Sequence, residues 1–336
     1  MIRVAINGFG RIGRIAFREM ITGRDFDIVA VNDLSNAEEL AYLLKYDTNH
    51  RSFHEDEISF DNDNIVIAGK KRVKVLSEAD PSKLPWGDLN IDVVLECSGR
   101  FTKYEDAYKH ITAGARHVVI SAPGKGDMKT IVYGVNDSIL DGSEEVISAA
   151  SCTTNCLAPV LNVIEKNIGI RKGYMSTVHA YTNDQATLDI HHSKGIMARR
   201  GRACAQNIVP ASTGAASAIG KVIPSLLGKM DGMAFRVPVS CGSVVDLTLE
   251  LDKNVSKEEL NNLLRNNQSE ALRVCEDPIV SSDVLGKKCG ALVDLLSTNV
   301  LETEAGNLVK VVAWYDNEMG YTAQMLRTAK ALIKEK

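Results

Sequence analysis

The sequence predicts a two-domain α/β protein, with a doubly wound parallel sheet in the first half and an α+β domain built on a mostly antiparallel sheet in the second. Three features carry that expectation. The chain has 336 residues, more than a single core usually supports. Its first half opens with strand, glycine turn, helix and a second buried strand, the start of a parallel sheet. Its second half contains a strictly alternating stretch, Val244 to Leu251, with Val245, Leu247, Leu249 and Leu251 on one face and Asp246, Thr248 and Glu250 on the other; this is a strand exposed on one side. The domains are expected over 1–151 and 152–317, with a C-terminal helix over about 318–336.

In chain order, residues 2–6 form an apolar run that leads into Gly8-Phe9-Gly10-Arg11-Ile12-Gly13, and a helical pattern follows from Ile12 to Met20. In such a turn Gly8 permits a tight bend, Gly10 lets backbone approach a pyrophosphate, and Gly13 lets helix and strand pack closely. The helix N-terminus adds free N–H groups and a positive dipole end. A glycine hexamer alone recurs by chance and often only joins two elements. Here the run Asp27 to Val31 ends at Asn32-Asp33, which sets a carboxylate 20 residues after Gly13, where a Rossmann-type fingerprint binds an adenosine ribose. Asp33 favours NAD, because a 2′-phosphate would meet a like charge; its bland reading is a turn residue at a strand end. Ile91 to Leu95 and His117 to Ile120 read as further buried strands that end in Cys97-Ser98-Gly99 and Ser121-Ala122-Pro123-Gly124. Ligands lie outside such carboxyl ends, so Ser98, Gly99 and Ser121 either line the nicotinamide half of a site or are ordinary turns.

Hydrophobic residues make up 45% and charged residues 24% of an ordered-looking chain with a formal net charge of −4. That charge gives no global attraction to nucleic acid or anionic lipid. The N-terminus lacks signal-peptide character, and no run of about 18 apolar residues could span a bilayer. A cytoplasmic protein is expected. Seven scattered cysteines fit reduced thiols better than a disulfide framework.

Val146-Ile147-Ser148 reads as a strand, and a helix is expected from about Asn155 to Asn167, which sets Cys152 at a helix entrance. Free N–H groups and the dipole there are expected to lower its thiol pKa and make it a nucleophile. Cys156, one turn inside, behaves as a small buried hydrophobe. A metal site would need more soft ligands at close spacing, and no C-x-x-C occurs. A disulfide between the two cysteines would be an oxidised, inactive state. A thiolate nucleophile wants a base within hydrogen-bond reach. The candidate is His179, on the strand-like stretch Gly173 to Thr182; a strand histidine with a structural role is the alternative.

With Asn7-Gly8-Phe9-Gly10-Arg11-Ile12-Gly13-Arg14, Ser151-Cys152-Thr153-Thr154-Asn155-Cys156, Thr177-Val178-His179-Ala180-Tyr181-Thr182, Ser212-Thr213-Gly214-Ala215-Ala216, Phe235-Arg236-Val237-Pro238 and Trp314-Tyr315-Asp316-Asn317-Glu318 in order, the chain resembles the phosphorylating glyceraldehyde-3-phosphate dehydrogenases of glycolysis over nearly its whole length. The resemblance implies that Cys152 forms a thiohemiacetal and then a thioester that inorganic phosphate cleaves, with His179 assisting each proton transfer. It implies one anion site at Ser151, Thr153, Thr213 and Gly214, and a second at Thr182, Arg236 and Arg199, where arginine's planar fork suits phosphate. The NAD site would comprise Arg11, Ile12, Asp33, Ser121 and Asn317, with Tyr321 close by. A homotetramer and a last helix packed on the first domain are also implied. The segment 189–196 is longer than its counterpart, and Ala79 stands where many relatives carry an arginine.

Ser256 and Glu259 form a capping box ahead of a helix expected to run to about Val274, Lys310 to Tyr315 reads as a strand, and Thr322 to Lys334 is amphipathic. Erythrose-4-phosphate dehydrogenase is the enzymatic alternative. Nucleic-acid binding through the basic run Met197 to Arg202 is the non-catalytic one, and the net charge argues against it as the main role.

Overall fold

The computed structural model describes residues 1–192, 195–303 and 306–333. The chain forms two compact units: one comprises Met1–Tyr133, Asp137–Ser151 and the chain from Thr322, the other Gly134–Asn136 and Cys152–Tyr321. No described helix is long and apolar enough to cross a membrane.

The first unit contains β1 (Ile2–Asn7), α1 (Arg11–Thr22), β2 (Phe26–Asn32), α2 (Ala37–Lys45), β3 (Ile58–Asp61), β4 (Asn64–Ile67), β5 (Lys71–Leu76), β6 (Val93–Glu96), α3 (Tyr104–Ala107), α4 (Lys109–Thr112), β7 (His117–Ile120) and β8 (Val146–Ser148). Its sheet runs β3-β4-β5-β2-β1-β6-β7-β8. From β5 to β8 every pair is parallel, and β6 and β7 are buried along their whole length, as strands covered on both faces must be. The antiparallel edge β3-β4-β5 was not expected from sequence. Its turns depend on Asn62, Ala68 and Gly69 at φ 41°, 49° and 66°, which only Gly and Asn adopt readily.

The second unit contains α5 (Cys152–Asn167), β9 (Ile170–Ala180), β10 (Val209–Ser212), α6 (Ala215–Val222), β11 (Met230–Val237), β12 (Ser243–Leu251), α7 (Lys257–Asn266), β13 (Leu272–Cys275), β14 (Ala291–Thr303) and β15 (Gly306–Tyr315). The sheet order is β10-β11-β9-β12-β15-β14-β13, with only β11-β9 and β13-β14 parallel. Burial alternates residue by residue along β12. The capping box at Ser256 and Glu259 is present, but α7 stops at Asn266 and Leu272–Cys275 becomes an edge strand instead. Asn267 breaks the helix at φ −111°, and the Ser269 hydroxyl captures the N–H groups of Ala271 and Leu272.

The last helix, α8 (Met319–Leu332), starts in the second unit and continues in the first, where Met325, Leu326, Ala329 and Leu332 join a core with Phe17, Ile28 and Leu44. Residues 334–336 of the expected helix, and 193–194 of the long loop, lie outside the described residues.

Candidate active site

In the first unit the turn between β1 and α1 is shaped by what its glycines lack. Gly8 has φ 93°, and a Cβ there would meet the Ser98 backbone at 2.5 Å. A Cβ on Gly13 would sit 2.2 Å from the Gly8 carbonyl, whereas one on Gly10 would meet nothing within 4 Å. Two glycines are therefore packed against backbone and the middle one lies open, the arrangement that lets an anion approach α1. Asp33 closes the opposite side: Oδ2 accepts from Phe9 N–H at 2.7 Å and Oδ1 from Ser35 N–H at 3.2 Å, which leaves carboxylate lone pairs for ribose hydroxyls. An open cleft of about 260 Å³ is lined by Gly8, Gly10, Asp33, Glu78, Ala79 and Ser98, among others. These residues fit the adenosine and pyrophosphate of NAD. Ile12 is half-buried in the first turn of α1. Arg11 pairs its guanidinium with Asp47. Burial alone would raise Asp47, but Arg11 and the His50 N–H hold it down at about 2. Ser121 donates its N–H to the Glu96 carbonyl at the end of β7.

The second unit brings a thiol, an imidazole and a guanidinium together. Cys152 is the first residue of α5, just after Ala150 with its strained φ of 58°. Its Sγ lies 3.4 Å from His179 Nε2. His179 Nδ1 lies 2.7 Å from the Ala180 carbonyl, and Nε2 is the ring nitrogen that faces the sulfur. Burial, and then the Arg236 guanidinium, push His179 down to about 3. The imidazole is therefore a neutral base across the physiological range. Arg236 and His179 are register partners on the parallel strands β11 and β9; Nη1 of the arginine is 2.9 Å from Nδ1 and donates to Ala180 O and to Thr182 Oγ1 at 2.8 and 3.1 Å.

The expected depression of the Cys152 pKa is not found. Burial pushes the thiol up, and the lowering influences, Arg236 and hydrogen bonds from Thr153, do not overcome it. The half-buried sulfur thus rests as a thiol that faces His179. Cys156 is fully buried and raised well above the ordinary thiol value by burial, as a core cysteine should be. All seven cysteines are free.

Three participants escaped the sequence. Asp184 accepts from the Thr182 hydroxyl and from Arg200, so the arginine beside this cluster is Arg200; Arg199, its neighbour on the same short turn, is exposed. Tyr315 is buried with its hydroxyl 2.9 Å from Thr153 Oγ1 and 2.8 Å from Thr177 Oγ1. The doubled arginine at 199–200 marked the neighbourhood of Arg200 without choosing between the two, and nothing in the sequence pointed to Asp184 or Tyr315. Thr213 and Gly214 lead into α6, with Thr213 Oγ1 accepting from Ala215 N–H at 3.2 Å, and Ser151 is the last residue of that stretch of the first unit. Asn317 is buried in the second unit, where Oδ1 accepts from Ser243 Oγ at 2.9 Å, and Tyr321 is buried there too.

A dinucleotide cleft in one unit and a thiol facing a neutral imidazole in the other define the class, a cysteine-dependent NAD dehydrogenase. The NAD-binding-domain model of glyceraldehyde 3-phosphate dehydrogenase matches residues 2–104, and the C-terminal-domain model of the same enzyme matches residues 151–317. Proteins named glyceraldehyde-3-phosphate dehydrogenase from Clostridium pasteurianum and Clostridium acetobutylicum are each 54% identical over 334 residues, and one from Streptococcus pyogenes is 49% identical over 335, in every case across 99% of both chains. The chain belongs to the glyceraldehyde-3-phosphate dehydrogenase family, and its cofactor is NAD.

Proposed function

We propose that this NAD-dependent glyceraldehyde-3-phosphate dehydrogenase works as a phosphorylating enzyme through covalent attachment at Cys152. Sγ attacks the aldehyde carbon while His179 Nε2 takes the thiol proton and returns it to the new alkoxide, which gives a thiohemiacetal. His179 next removes the hydroxyl proton as hydride leaves the carbon. NAD bound in the first unit supplies the hydride acceptor. The resulting thioester is cleaved by inorganic phosphate, whose attack releases an acyl phosphate and a thiolate that His179 reprotonates. The observation that carries this reading is the 3.4 Å approach of Sγ to Nε2 of an imidazole that burial keeps neutral.

The substrate phosphate is assigned to Arg236 and Thr182, with Arg200 in place of Arg199. In support, Arg236 Nε is buried without a hydrogen-bond partner, a donor that a phosphate oxygen would satisfy. Inorganic phosphate is assigned to Ser151, Thr153, Thr213 and Gly214, and Asn317 and Tyr321 to the cofactor. A homotetramer in the cytoplasm, with domains bounded near residue 151, completes the proposal. NADH formation should require glyceraldehyde-3-phosphate, NAD and phosphate together; turnover that persists without phosphate contradicts cleavage of the thioester by phosphate.

A further inference from the structure

Beneath the cofactor cleft a chain of buried side chains crosses the carboxyl ends of β6, β1 and β2, and none of it touches the reacting groups. Trp86 Nε1–H donates to His110 Nδ1 at 2.9 Å. An indole nitrogen can only donate, so Nδ1 must be the acceptor and the ring proton sits on Nε2, 3.1 Å from Glu96 Oε2. The same oxygen accepts from Asn7 Nδ2. Asn7 Oδ1 in turn accepts from Asn32 Nδ2 at 2.7 Å, and Asn32 closes on the Glu78 backbone, donating to its carbonyl and accepting its N–H at 2.9 Å each. Glu96 Oε1 accepts from Ser98 N–H and its hydroxyl, and the hydroxyl oxygen accepts from Arg100 N–H at 3.1 Å. Trp86 and His110 have no exposed surface and Glu96 has 1%.

Every partner of the Glu96 carboxylate is a donor, and each of those donors is oriented by the next group along. Two arms therefore converge on Glu96 as their common acceptor, and one of them is fixed at its far end by an indole that can only donate. Both ends of the cleft are fastened to the network: Ser98 and Arg100 on one wall, Asn32 and Glu78 on the other, all lining residues. Because Ser98 also lies against Gly8, with only 2.5 Å to a hypothetical Cβ, the carboxylate sets how far that wall stands from the phosphate turn.

We propose that Trp86, His110 and Glu96 are positioning residues for the adenosine half of NAD: they act through Ser98, Asn7 and Asn32 to fix the width of the cleft. The inference deepens the NAD assignment and is independent of the cysteine chemistry. Glu96→Gln keeps the volume but turns one acceptor into a donor facing donors, so one wall must shift. On the full chain, calorimetric Kd values for NAD and for ADP-ribose should both weaken by about tenfold or more, with KM for NAD rising alike and kcat at saturating NAD kept within about twofold. Trp86→Phe frees the His110 tautomer and should weaken both ligands by about threefold. A purely structural network would lower the melting temperature of the protein without NAD and leave both Kd values unchanged, and that outcome overturns the proposal. So does a loss confined to NAD with ADP-ribose unaffected. If Glu96→Gln fails to fold, the Trp86→Phe titrations decide by the same criteria.

Discussion

The cofactor cleft of the first unit and the thiol site of the second are built by opposite means. The cleft is mostly main chain: two glycines pressed against backbone, one left open, and a helix end with free N–H groups, with Asp33 fastened to the turn through Phe9 N–H. What matters there is side chains that are missing. The thiol site is made of side chains from separate elements, Cys152 on α5, His179 on β9 and Arg236 on β11, separated in sequence by 27 and 57 residues. Backbone recognition can be specified within one local turn. A tuned acid–base pair needs charge and burial delivered from several directions at once.

That division predicts which property each substitution disturbs. Cys152→Ala should abolish NADH formation, a loss of about 10⁴-fold or more, while calorimetry finds NAD affinity unaltered; a parallel loss of NAD binding would erase the contrast between the units. His179→Asn should lower kcat by about 10²–10³-fold and slow alkylation of Cys152 by iodoacetamide, again with NAD affinity intact. Gly8→Ala belongs to the other side: positive φ and overlap with Ser98 should cost about 3 kcal/mol, seen as weaker NAD binding and a lower melting temperature. Arg236→Met should raise KM for glyceraldehyde-3-phosphate by about 10–100-fold. It should also move the pH profile of Cys152 alkylation upward, since the cation that opposes burial of the thiolate is gone. The smallest effect is on stability. Asp47 is held at about 2 against its ordinary value of 3.8, so it contributes about 2 kcal/mol that is present above the unfolded value and lost as pH falls through about 2. Melting curves of wild type and Asp47→Asn should differ near neutrality and converge in strong acid.

The contrast also explains what could be read from the sequence. Gly8, Gly10, Gly13 and Asp33 were legible because a phosphate turn and a ribose carboxylate occur at fixed offsets, and the alternation of β12 was legible because one sheet face is buried. The three-stranded antiparallel edge was not, since its turns use positive φ at Ala68 as well as at Asn62 and Gly69. The overrun of α7 has a similar origin: a polar run continued the helical pattern until Ser269 captured the backbone. In the site, His179 could be nominated from residue type, but no spacing rule points to Asp184, Tyr315 or the choice of Arg200 over Arg199. Their roles come from strand register and loop packing.

Local offsets in the sequence determined the cofactor and the division into a parallel and a largely antiparallel sheet, and they singled out Cys152 at a helix entrance, because those depend on nearest neighbours along the chain. Tertiary structure alone decided that the thiol is raised rather than lowered, that the imidazole facing it is neutral, and which arginine joins Asp184 and Thr182. Desolvation sums over everything packed around a group and Coulomb energy falls with distance, and neither is written in the order of residues until the chain has folded.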